Sequence, residues 1–476
     1  MIKNVCCIGA GYVGGPTMSV FADKCKDIVF NVVDVNNERI TAWNNNDLTK
    51  LPIFEPGLDE VVKRCRGKNL FFSSEVHRCI SEADLVFISV NTPTKTKGIG
   101  AGKASDLKWV ESSARQISKY AKGHTIVVEK STLPVRTGEV IRDILESYQS
   151  ASSSENNPTF DILSNPEFLA EGTAINDLEH PDRVLIGGSN QNAIQVLHEL
   201  YKRWVPEEKI IHTNLWSSEL AKLTSNAFLA QRISSINSIS AICEATGADV
   251  KEVSRAIGRD SRIGERFLNS GPGFGGSCFK KDILNLVYLA NYFGLPEVAS
   301  FWESVVELNN WNQNRLSRII LQKLFGTLTN KNIVILGFAF KANTNDTRES
   351  PAIQICKNLF EEGAILKIHD PKVSKKQIGL DLGIPARDEL IKNQNFNELN
   401  MEKQWDKYQL SDDLFDQADA VIILTEWDIY SKLNWENISK RMRSPAWVFD
   451  SRLVIDKQKV IDSGLNLWSL GDGTIK

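Results

Sequence analysis

The sequence predicts an α/β protein in which two doubly wound parallel-sheet domains are joined by a central helical segment. Three observations predict this fold. Short apolar runs alternate with helical patterns at the start of the chain, a long stretch without Gly or Pro lies in the middle, and the opening pattern returns in the last third. The 476 residues suit about three domains at roughly 150 residues each.

The first domain is predicted to span residues 1–212. An apolar run at Asn4–Ile8, a glycine-rich turn with a helical pattern, and a second apolar run at Ile28–Val33 make a β-α-β unit. Further apolar runs follow at 85–90, 125–128, 160–163 and 184–186. Because strands that alternate with helices form parallel sheets, we expect a doubly wound sheet here. The Ser- and Asn-rich residues 150–157 are expected to form a surface loop of this domain.

The central segment, residues 213–328, is predicted to be mostly helical. From Ser217 to Ala245 the chain has no Gly or Pro and carries apolar residues at helical spacing, which predicts one long helix. Further helical patterns lie at 284–292 and 302–325. Segments of this kind commonly carry contacts between copies of a chain, so we expect self-association here.

The last part, residues 329–476, repeats the opening of the chain. Lys331-Asn332, four apolar residues and Gly337 match Lys3-Asn4, four apolar residues and Gly9, and Asp370 matches Asp34. The sequence therefore predicts a second nucleotide-binding topology. In this copy Ala339 and Ala342 replace the corresponding glycines, so a nucleotide would be held in another manner.

Composition excludes several classes of protein. Hydrophobic residues make up 42% and charged residues 24%, and the net charge is −3, so neither a disordered chain nor a nucleic-acid or membrane partner is expected. No apolar run approaches the roughly 18 residues of a membrane span, and we expect a cytoplasmic protein. The eight cysteines form no Cys-x-x-Cys pair, so we expect neither a disulfide framework nor a metal site.

A turn with the spacing of a dinucleotide-binding loop follows the first strand. It consists of Gly9, Ala10, Gly11, Tyr12, Val13 and Gly14. Its glycines let a pyrophosphate approach backbone N–H groups at a helix N-terminus, and Asp34, about 20 residues beyond, can bind a ribose diol. Because the Asp34 carboxylate repels a 2′-phosphate, NAD is favoured over NADP, although the nearby Arg39 could accommodate that phosphate. The first domain is therefore predicted to be Rossmann-like and to bind NAD.

Another segment ends a predicted strand at the edge of the sheet where ligands bind in this fold. It consists of Val90, Asn91, Thr92, Pro93 and Thr94.

A glycine-rich loop followed by a cysteine is the most unusual segment of the chain. Four of the six residues from Gly271 to Gly276 are glycines, and such a loop favours close approach of a ligand to the backbone. Cys278 is predicted in the first turn of the next helix, where the helix dipole favours a thiolate. Most free cysteines are only small buried apolar residues, and we expect that of Cys6, Cys7, Cys243 and Cys356. Asp282 lies one turn after Cys278 and could orient a water molecule or a lysine.

Two further pairs carry acid–base potential. Lys222 and Asn226 lie one turn apart on the long helix within an apolar stretch, so their polar ends are expected to project into a cleft. Glu167 and Glu171 follow a predicted strand end, and Glu167 is the better acid–base candidate. A nicotinamide site and a nucleophilic cysteine together allow an alcohol to be oxidised to an acid through a thiohemiacetal and a thioester.

These motifs identify the chain as similar to the UDP-glucose/GDP-mannose dehydrogenase family over nearly its whole length. The resemblance rests on Gly9–Gly14, Val90–Thr94, Glu129–Thr132, Asn165–Glu171, Leu220–Phe228, Gly273–Asp282, Gly337–Lys341, Asp346–Ser350 and Asp450–Arg452. It implies NAD-dependent oxidation of UDP-glucose to UDP-glucuronate, with two NAD and one water consumed. It also implies assembly from dimers, commonly into a hexamer.

The resemblance also implies roles for individual residues. Cys278 matches the nucleophile, Asp282 the catalytic aspartate, Lys222 and Asn226 the groups that stabilise oxyanions, Glu167 the acid–base group and Thr132 the threonine that positions water. Cofactor contacts are expected from Asp34, Arg39, Ser131, Thr132, Glu171 and Arg348. Substrate contacts are expected from Glu167, Phe168, Leu169, Ala170, Glu171, Lys222, Asn226, Arg262, Asn269, Ser270, Gly271, Pro272, Gly273, Phe274, Gly275, Phe340, Lys341 and Arg452.

Three alternatives stay open at the level of sequence. The substrate could be another nucleotide sugar, such as GDP-mannose or a UDP-N-acetylhexosamine. The chain could bind NAD or a nucleotide sugar without catalysis, or it could be a two-electron hydroxyacid dehydrogenase. The chain also departs from its animal relatives at Asn269, where they carry Lys, and at Ser451 and Leu453 of the Asp450–Leu453 segment.

Overall fold

The computed structural model describes residues 2–151, 157–387 and 404–474. Residues 152–156, the main part of the loop predicted at 150–157, lie outside the described residues. The chain divides into two compact units. The first comprises the residues up to Asn226 together with Leu284–Ala299, and the second comprises Ala227–Ile283 and the residues from Ser300 onward.

The first unit contains an eight-stranded sheet in the order β3-β2-β1-β4-β5-β6-β7-β8. Its strands are β1 Asn4–Ile8, β2 Val29–Val33, β3 Leu70–Ser73, β4 Leu85–Ile88, β5 His124–Glu129, β6 Thr159–Ser164, β7 Val184–Gly188 and β8 Ile210–Thr213. The predicted doubly wound α/β class is confirmed. One detail differs, because β7 pairs antiparallel with β6 and β8 follows β7 in parallel.

The reversal of β7 follows from the connection that precedes it. A parallel connection has to return the chain along the length of the sheet, which normally takes a helix as long as the strands. Helix α7, Ala174–Glu179, has six residues and spans about 9 Å, whereas the six-residue strand β6 spans roughly 20 Å. The chain therefore re-enters the sheet from the same end.

Helices cover both faces of this sheet. They are α1 Gly14–Lys24, α2 Asn37–Trp43, α3 Leu58–Cys65, α4 Val76–Ser81, α5 Lys108–Tyr120, α6 Thr137–Ala151, α7 and α8 Gln191–Tyr201, with 3₁₀ turns at Leu48–Lys50 and Glu207–Lys209. Cys7 packs on the face covered by α1, α3 and α8, whereas Cys6 packs on the face covered by α4, α5 and α6. Because both faces are buried, the strands read as continuous apolar runs.

The second unit contains a six-stranded sheet in the order β11-β10-β9-β12-β13-β14, and all its pairs are parallel. The strands are β9 Asn332–Leu336, β10 Ile365–His369, β11 Gln404–Lys407, β12 Ala420–Ile423, β13 Trp447–Asp450 and β14 Asn466–Ser469. This order repeats the order of the first six strands of the chain, which confirms the predicted repetition of the topology.

The remaining helices begin with the long helix that the sequence predicts. It is α9, Leu215–Thr246, against a predicted range of 217–245. The others are α10 Val250–Gly258, α11 Phe279–Tyr292, α12 Pro296–Lys323, α13 Pro351–Glu361, α14 Lys375–Leu382, α15 Asp428–Ser431, α16 Trp435–Ser439 and α17 Lys457–Asp462, with a 3₁₀ turn at Asp412–Phe415. The boundaries between the two units fall within α9, α11 and α12. Among the described residues, no helix has both the length and the apolar character of a membrane span.

Candidate active site

The glycine-rich turn joins β1 to α1 in the first unit. Gly9 has φ +109°, and a Cβ atom added there would lie 2.1 Å from the carbonyl oxygen of Ser89. A Cβ atom on Gly14 would lie 2.0 Å from the carbonyl oxygen of Gly9, whereas a Cβ atom on Gly11 would meet nothing within 4 Å. Packing of the protein therefore requires Gly9 and Gly14, and the open side of Gly11 fits the approach of a ligand to the backbone.

Asp34 lies at the end of β2, where it holds this turn. Its Oδ2 atom accepts a hydrogen bond from the Ala10 N–H at 3.0 Å, and its Oδ1 atom accepts one from Asn36 N–H at 2.9 Å. The Arg39 guanidinium pairs with Oδ2 at 3.1 Å. A carboxylate can accept about four hydrogen bonds, so Asp34 retains acceptor capacity for a ribose hydroxyl. The turn, the N-terminus of α1 and Asp34 thus fit a dinucleotide.

The ends of β4 and β5 are joined by two hydroxyl groups. Ser131 Oγ donates to the carbonyl of Val90 at 2.7 Å, and Thr92 Oγ1 donates to the carbonyl of Thr132 at 3.1 Å. The two predicted cofactor segments therefore lie side by side at the carboxyl edge of the sheet. The other candidate residues of these segments and of the turn are half-buried or exposed: Tyr12, Val13, Asn91, Pro93 and Thr94.

A buried ion pair joins the loop after β6 to helix α9. Lys222 Nζ lies 3.3 Å from Glu167 Oε1, and the two side chains are 4% and 5% exposed. Lys222 Nζ also lies 5.3 Å from the centre of the Phe168 ring, and Glu167 Oε2 accepts the N–H of Leu169 at 2.9 Å. Asn226, one turn along α9, is buried as well. Lys222 and Asn226 are thus both buried, and the expectation that their polar ends project into a cleft stays a prediction.

Lys130 is a buried cation beside this pair that sequence reasoning did not single out. Its Nζ donates to Asn165 Oδ1 at 3.0 Å and to the Tyr201 hydroxyl at 3.1 Å. Burial lowers the pKa of Lys130 to about 8, although the nearby Glu167 opposes that change. A charged residue directly after the apolar run of β5 was the available signal, because such a position lies at the ligand-binding edge of the sheet.

Glu55 was also missed, and it anchors the loop that carries Glu167 and Glu171. Its carboxylate accepts the N–H of Gly172 at 2.8 Å and that of Ala174 at 3.2 Å. These groups lie at the start of α7, where an anion is favoured by the helix dipole. Ala170 and Glu171 therefore lie in a loop with a fixed end.

In the second unit, three amides hold the glycine-rich loop in place. Asn309 Oδ1 accepts the N–H of Phe274 at 2.8 Å, and Asn309 Nδ2 donates to its carbonyl at 3.2 Å. Asn312 Nδ2 donates to the Gly271 carbonyl at 2.9 Å, and Asn237 Oδ1 accepts the Gly271 N–H at 2.9 Å. Asn309 and Asn312 lie one turn apart on the buried side of α12, and that pair of polar residues was the signal that could have identified them.

The glycines of this loop permit close packing against the C-terminal sheet. A Cβ atom on Gly275 would lie 2.6 Å from the Glu349 carbonyl oxygen and 2.8 Å from Phe340 Cβ, and Gly276 N–H donates to the Arg348 carbonyl at 2.8 Å. Loop residues Ser270, Pro272 and Gly273 are buried with the rest. The loop therefore lies against the segments that carry the other candidate residues of this unit.

Cys278 is the one cysteine of the eight that is not buried. Helix α11 begins at Phe279, so Cys278 immediately precedes the helix instead of lying in its first turn as predicted, and the Cys278 carbonyl accepts the Asp282 N–H at 2.8 Å. This position at a helix N-terminus favours a negative charge on the sulfur. By contrast, burial raises the pKa of Cys7 to about 12. Asp282 is buried, and its carboxylate lies 3.4 Å from Lys281 Nζ.

Arg452 links the segments that follow β9 and β12. Its guanidinium donates to the carbonyls of Phe340 and Leu424, each at 2.9 Å, and pairs with Glu426 at 3.2 Å. A Cβ atom on Gly271 would lie 3.3 Å from Arg452 Nη1. Lys341 Nζ lies 5.6 Å from the Phe340 ring centre.

Three candidate residues of this unit lie at its surface. Arg262 has an 88% exposed side chain that pairs with Asp260 at 2.6 Å, and Asn269 is also exposed. In the part of the chain that the structure describes, neither forms a hydrogen bond or ion pair with another candidate residue. Arg348 is partly exposed and pairs with Asp346.

Comparison with known proteins gives three family models in sequence along the chain. The NAD binding domain of the UDP-glucose/GDP-mannose dehydrogenase family matches residues 3–205, the central domain matches residues 216–311, and the UDP binding domain matches residues 334–457. The chain belongs to this family. The predicted resemblance is therefore confirmed, and the cofactor of this family member is NAD, as predicted from the turn and Asp34.

Several curated proteins are close relatives within the family. The UDP-glucose 6-dehydrogenase of Gallus gallus is 56% identical over 459 residues, covering 96% of this chain and 90% of that protein. UDP-glucose 6-dehydrogenase 1 of Glycine max is 53% identical over 480 residues, covering 99% of this chain and 97% of that protein.

Solved structures of similar fold include a UDP-glucose dehydrogenase from Pyrobaculum islandicum. It has a TM-score of 0.82 and 28% identity, and the match covers 99% of this chain and 98% of that one.

We expect alanine at Gly11 and at Gly14 to have different effects on this family member. Gly14→Ala places a methyl group against the Gly9 carbonyl, so the unfolding temperature should fall and NAD binding should be lost. Gly11→Ala meets no protein atom, so the unfolding temperature should stay unchanged, while NAD affinity falls at least about tenfold, roughly 1.4 kcal/mol. Thermal unfolding and calorimetric NAD titration measure both effects. Wild-type NAD affinity in Gly11→Ala would contradict the assignment of the turn.

We expect the Glu167–Lys222 pair to show strong coupling in unfolding experiments. Lys222→Met leaves a buried carboxylate without its partner and should lower the free energy of unfolding by about 3 kcal/mol. Adding Glu167→Gln to the same chain should recover most of that loss. The control is Lys202→Met, which breaks the exposed pair with Glu207 and should cost less than about 1 kcal/mol. Urea unfolding of the four proteins decides, and a double variant that is no more stable than Lys222→Met would show that the pair is not coupled.

Proposed function

We propose that this chain is an NAD-dependent UDP-glucose 6-dehydrogenase. The reaction is UDP-glucose plus two NAD and water to UDP-glucuronate, two NADH and protons. The observation that carries this proposal is the set of relatives with that printed name, which are 52–56% identical over nearly the whole chain. The half-buried Cys278 beside a glycine-rich loop supports it, because a thiol is what a second oxidation at the same carbon requires.

NAD would be held by the glycine turn, the N-terminus of α1 and Asp34, with Val90–Thr94, Ser131, Glu171 and Arg348 as further contacts. When bound, NAD supplies the hydride acceptor for both oxidations. Asp34 already has two backbone N–H groups and the Arg39 guanidinium as partners, so its carboxylate is held in place before a ribose arrives.

Cys278 acts as the nucleophile between the two oxidations. Its thiolate adds to the C6 aldehyde, which forms a carbon–sulfur bond and gives a thiohemiacetal after protonation of the oxygen. Loss of a hydride and a proton from that adduct gives a thioester. Water then cleaves the carbon–sulfur bond, which releases the carboxylic acid and regenerates the thiol. Asp282, one turn into the helix after Cys278, serves as the base for this water.

Lys222 and Asn226 stabilise the negative charge that develops on the C6 oxygen. A buried ammonium acts strongly on such a charge because little water screens it. Glu167 exchanges protons with the reacting groups, and its position 3.3 Å from Lys222 allows the pair to share that task. Thr132 positions the water that cleaves the thioester. The backbone carbonyl of Thr132 is held by the hydroxyl of Thr92.

The nucleotide end of the substrate is bound by the residues of the second unit. Arg452, Phe340 and Lys341 lie beside the loop Asn269–Gly275, whose backbone is fixed by amides, and Arg262 offers a guanidinium fork for a phosphate. The sugar end contacts Glu167–Glu171. These residues were expected from the family resemblance, and they remain part of this proposal.

The organisation of the chain follows the same proposal. Residues 1–212 bind NAD, residues 213–328 carry the contact between copies, and residues 329–476 bind UDP. The chain assembles from dimers into a hexamer. A cytoplasmic location is supported by the eight free thiols, since a reducing compartment keeps them in that state.

The alternatives have weaker support. Oxidation of GDP-mannose or of a UDP-N-acetylhexosamine is not favoured, because the relatives at 52–56% identity carry the name UDP-glucose 6-dehydrogenase. Binding without catalysis would leave the buried Glu167–Lys222 pair and the half-buried Cys278 without a purpose.

The ratio of NADH to acid tests the reaction type. We expect two NADH for each UDP-glucuronate formed, because both oxidations occur before release. Absorbance of NADH and chromatography of the sugar nucleotide give the two quantities. GDP-mannose and UDP-N-acetylglucosamine are run alongside UDP-glucose. A ratio of one, or faster turnover of either competing sugar, would contradict the proposal.

Replacement of the thiol tests the mechanism. Cys278→Ala should bind NAD and UDP-glucose as the wild type does, while acid release falls on the order of 10³-fold or more. The control is Cys65→Ala, which removes a buried thiol in α3 and should leave turnover near the wild-type value. Acid production is followed by chromatography, and unchanged production in Cys278→Ala would rule out the covalent route.

A further inference from the structure

Two buried carboxyl groups meet in the first unit at a place that the proposed mechanism does not use. Glu129 is the last residue of β5 and Glu219 lies in the second turn of α9, and they are 1% and 3% exposed. In the described part of the chain, no N–H group donates to either oxygen of Glu129. Both carboxyl groups lie against Gly138, whose N–H donates to Glu219 Oε1 at 2.8 Å and where an added Cβ atom would lie 3.2 Å from Glu129 Oε1. Two carboxyl groups form a hydrogen bond only when one of them holds a proton.

Glu219 fastens the start of α6 to α9. Its Oε2 atom accepts the N–H of Arg136 at 2.7 Å, and its Oε1 atom accepts the N–H of Gly138 at 2.8 Å. Arg136 has φ +77°, a conformation that is strained for a residue with a side chain. A Cβ atom on Gly138 would lie 2.5 Å from Leu215 Cδ2 and 3.2 Å from Glu129 Oε1. The pair is therefore tightly packed and holds a strained backbone.

The hydrogen-bond partners indicate which carboxyl group carries the proton. Burial raises the pKa of Glu219 as well, but its two backbone N–H donors oppose that rise, whereas Glu129 has no such donor and is therefore the group that holds the proton. Burial, followed by the Glu219 charge, raises the pKa of Glu129 well above its ordinary value. Glu139 on α6 also faces Glu219, and the Arg136 side chain pairs with Glu139 at 3.2 Å.

The two carboxyl groups hold the two ends of the segment 130–136. Glu129 directly precedes this segment, and Glu219 accepts the N–H of Arg136 at its other end. The residues between Glu129 and Arg136 carry Ser131 and Thr132, and hydroxyl groups at the ends of β4 and β5 fix only one side of that segment. Its other side is held through Glu219, which precedes Lys222 by one turn of α9.

We propose that Glu129 and Glu219 form one positioning pair, in which a single proton between the carboxyl groups holds the Lys130–Arg136 loop, and with it Thr132, against the helix that carries Lys222. Loss of this proton leaves two carboxylates facing each other in a buried site. Repulsion then separates them and releases the loop. This inference rests on the proposed function for its kinetic consequence, but not for the existence of the pair.

Two substitutions separate the proton from the bulk of the side chain. In Glu129→Gln, the amide N–H donates to Glu219 in place of the carboxyl proton and does not titrate. Glu129→Leu has a similar volume but no donor. The matched control is Glu139→Gln, which removes a nearby partly exposed carboxylate outside the pair.

The first measurement is the unfolding temperature between pH 5 and 9, without substrate. A group whose pKa is raised in the folded state stabilises the fold fully below its unfolded pKa, and this stability is lost as pH rises towards the folded value. The unfolding temperature of the wild type and of Glu139→Gln should therefore fall relative to that of Glu129→Gln as pH rises. If the unfolding temperature of Glu129→Gln depended on pH as that of the wild type does, the proposal that the two carboxyl groups share a proton would be overturned.

The second measurement is the pH profile of kcat and KM with UDP-glucose. We expect Glu129→Gln to keep kcat within about twofold near pH 7.5 and to lose less activity than the wild type at alkaline pH. Glu129→Leu should lose at least tenfold in kcat with KM for UDP-glucose nearly unchanged. Equal kcat in Glu129→Gln and Glu129→Leu would overturn the positioning role. If the Glu129→Leu variant does not fold, the wild type and Glu129→Gln are compared instead, and identical pH profiles of kcat in these two proteins would overturn the role. Absence of UDP-glucose turnover in the wild type would instead remove the proposed function, because the unfolding measurement needs no substrate.

Discussion

The first unit depends on the compensation of charges buried at the carboxyl ends of β5 and β6. An uncompensated buried ion costs several kcal/mol, so each ionisable group there has a specific partner. Lys222 pairs with the Glu167 carboxylate. Lys130 donates to the amide oxygen of Asn165 and the phenol oxygen of Tyr201, and Glu129 lies beside the carboxyl group of Glu219. Because these partners come from two strand ends and two helices, the partners fix where α9 lies on this edge of the sheet.

The last residue of β5 and the residue that follows it serve this arrangement on opposite faces of the sheet. Glu129 points to the face covered by α6, and Lys130 points to the face covered by α8, because successive side chains of a strand alternate. A single strand end thus contributes an acid to one buried site and a cation to another. The same strand end leads into the loop with Ser131 and Thr132, so the backbone of that loop is determined by contacts on both faces.

The fold was largely predictable because its strongest signals are local. Buried parallel strands read as apolar runs, and α9 reads as a long helical pattern, which the structure places at Leu215–Thr246. Two features were not predictable from such patterns. Strand β11, Gln404–Lys407, is polar because it lies at the edge of its sheet, and the direction of β7 depends on how far the preceding connection reaches.

The site was predictable only where chemistry has a fixed local spacing. The glycine turn with Asp34, and the glycine-rich loop with Cys278, each lie within one short motif or one β-α-β unit. The residues that hold them do not, since Glu55 and Gly172 are 117 positions apart and Asn309 and Phe274 are 35 positions apart. Hydrogen bonds over such separations leave no periodic pattern in a single sequence.

The central claim is that one thiol holds the sugar between two oxidations. The most direct measurement is mass spectrometry of the protein quenched with acid during turnover of UDP-glucose and NAD, followed by digestion and sequencing of the modified peptide. We predict an adduct of the oxidised sugar nucleotide on the peptide that contains Cys278, which disappears on treatment with hydroxylamine. Turnover to UDP-glucuronate without any covalent adduct on Cys278, under conditions in which the thioester is stable to the quench, would contradict the claim.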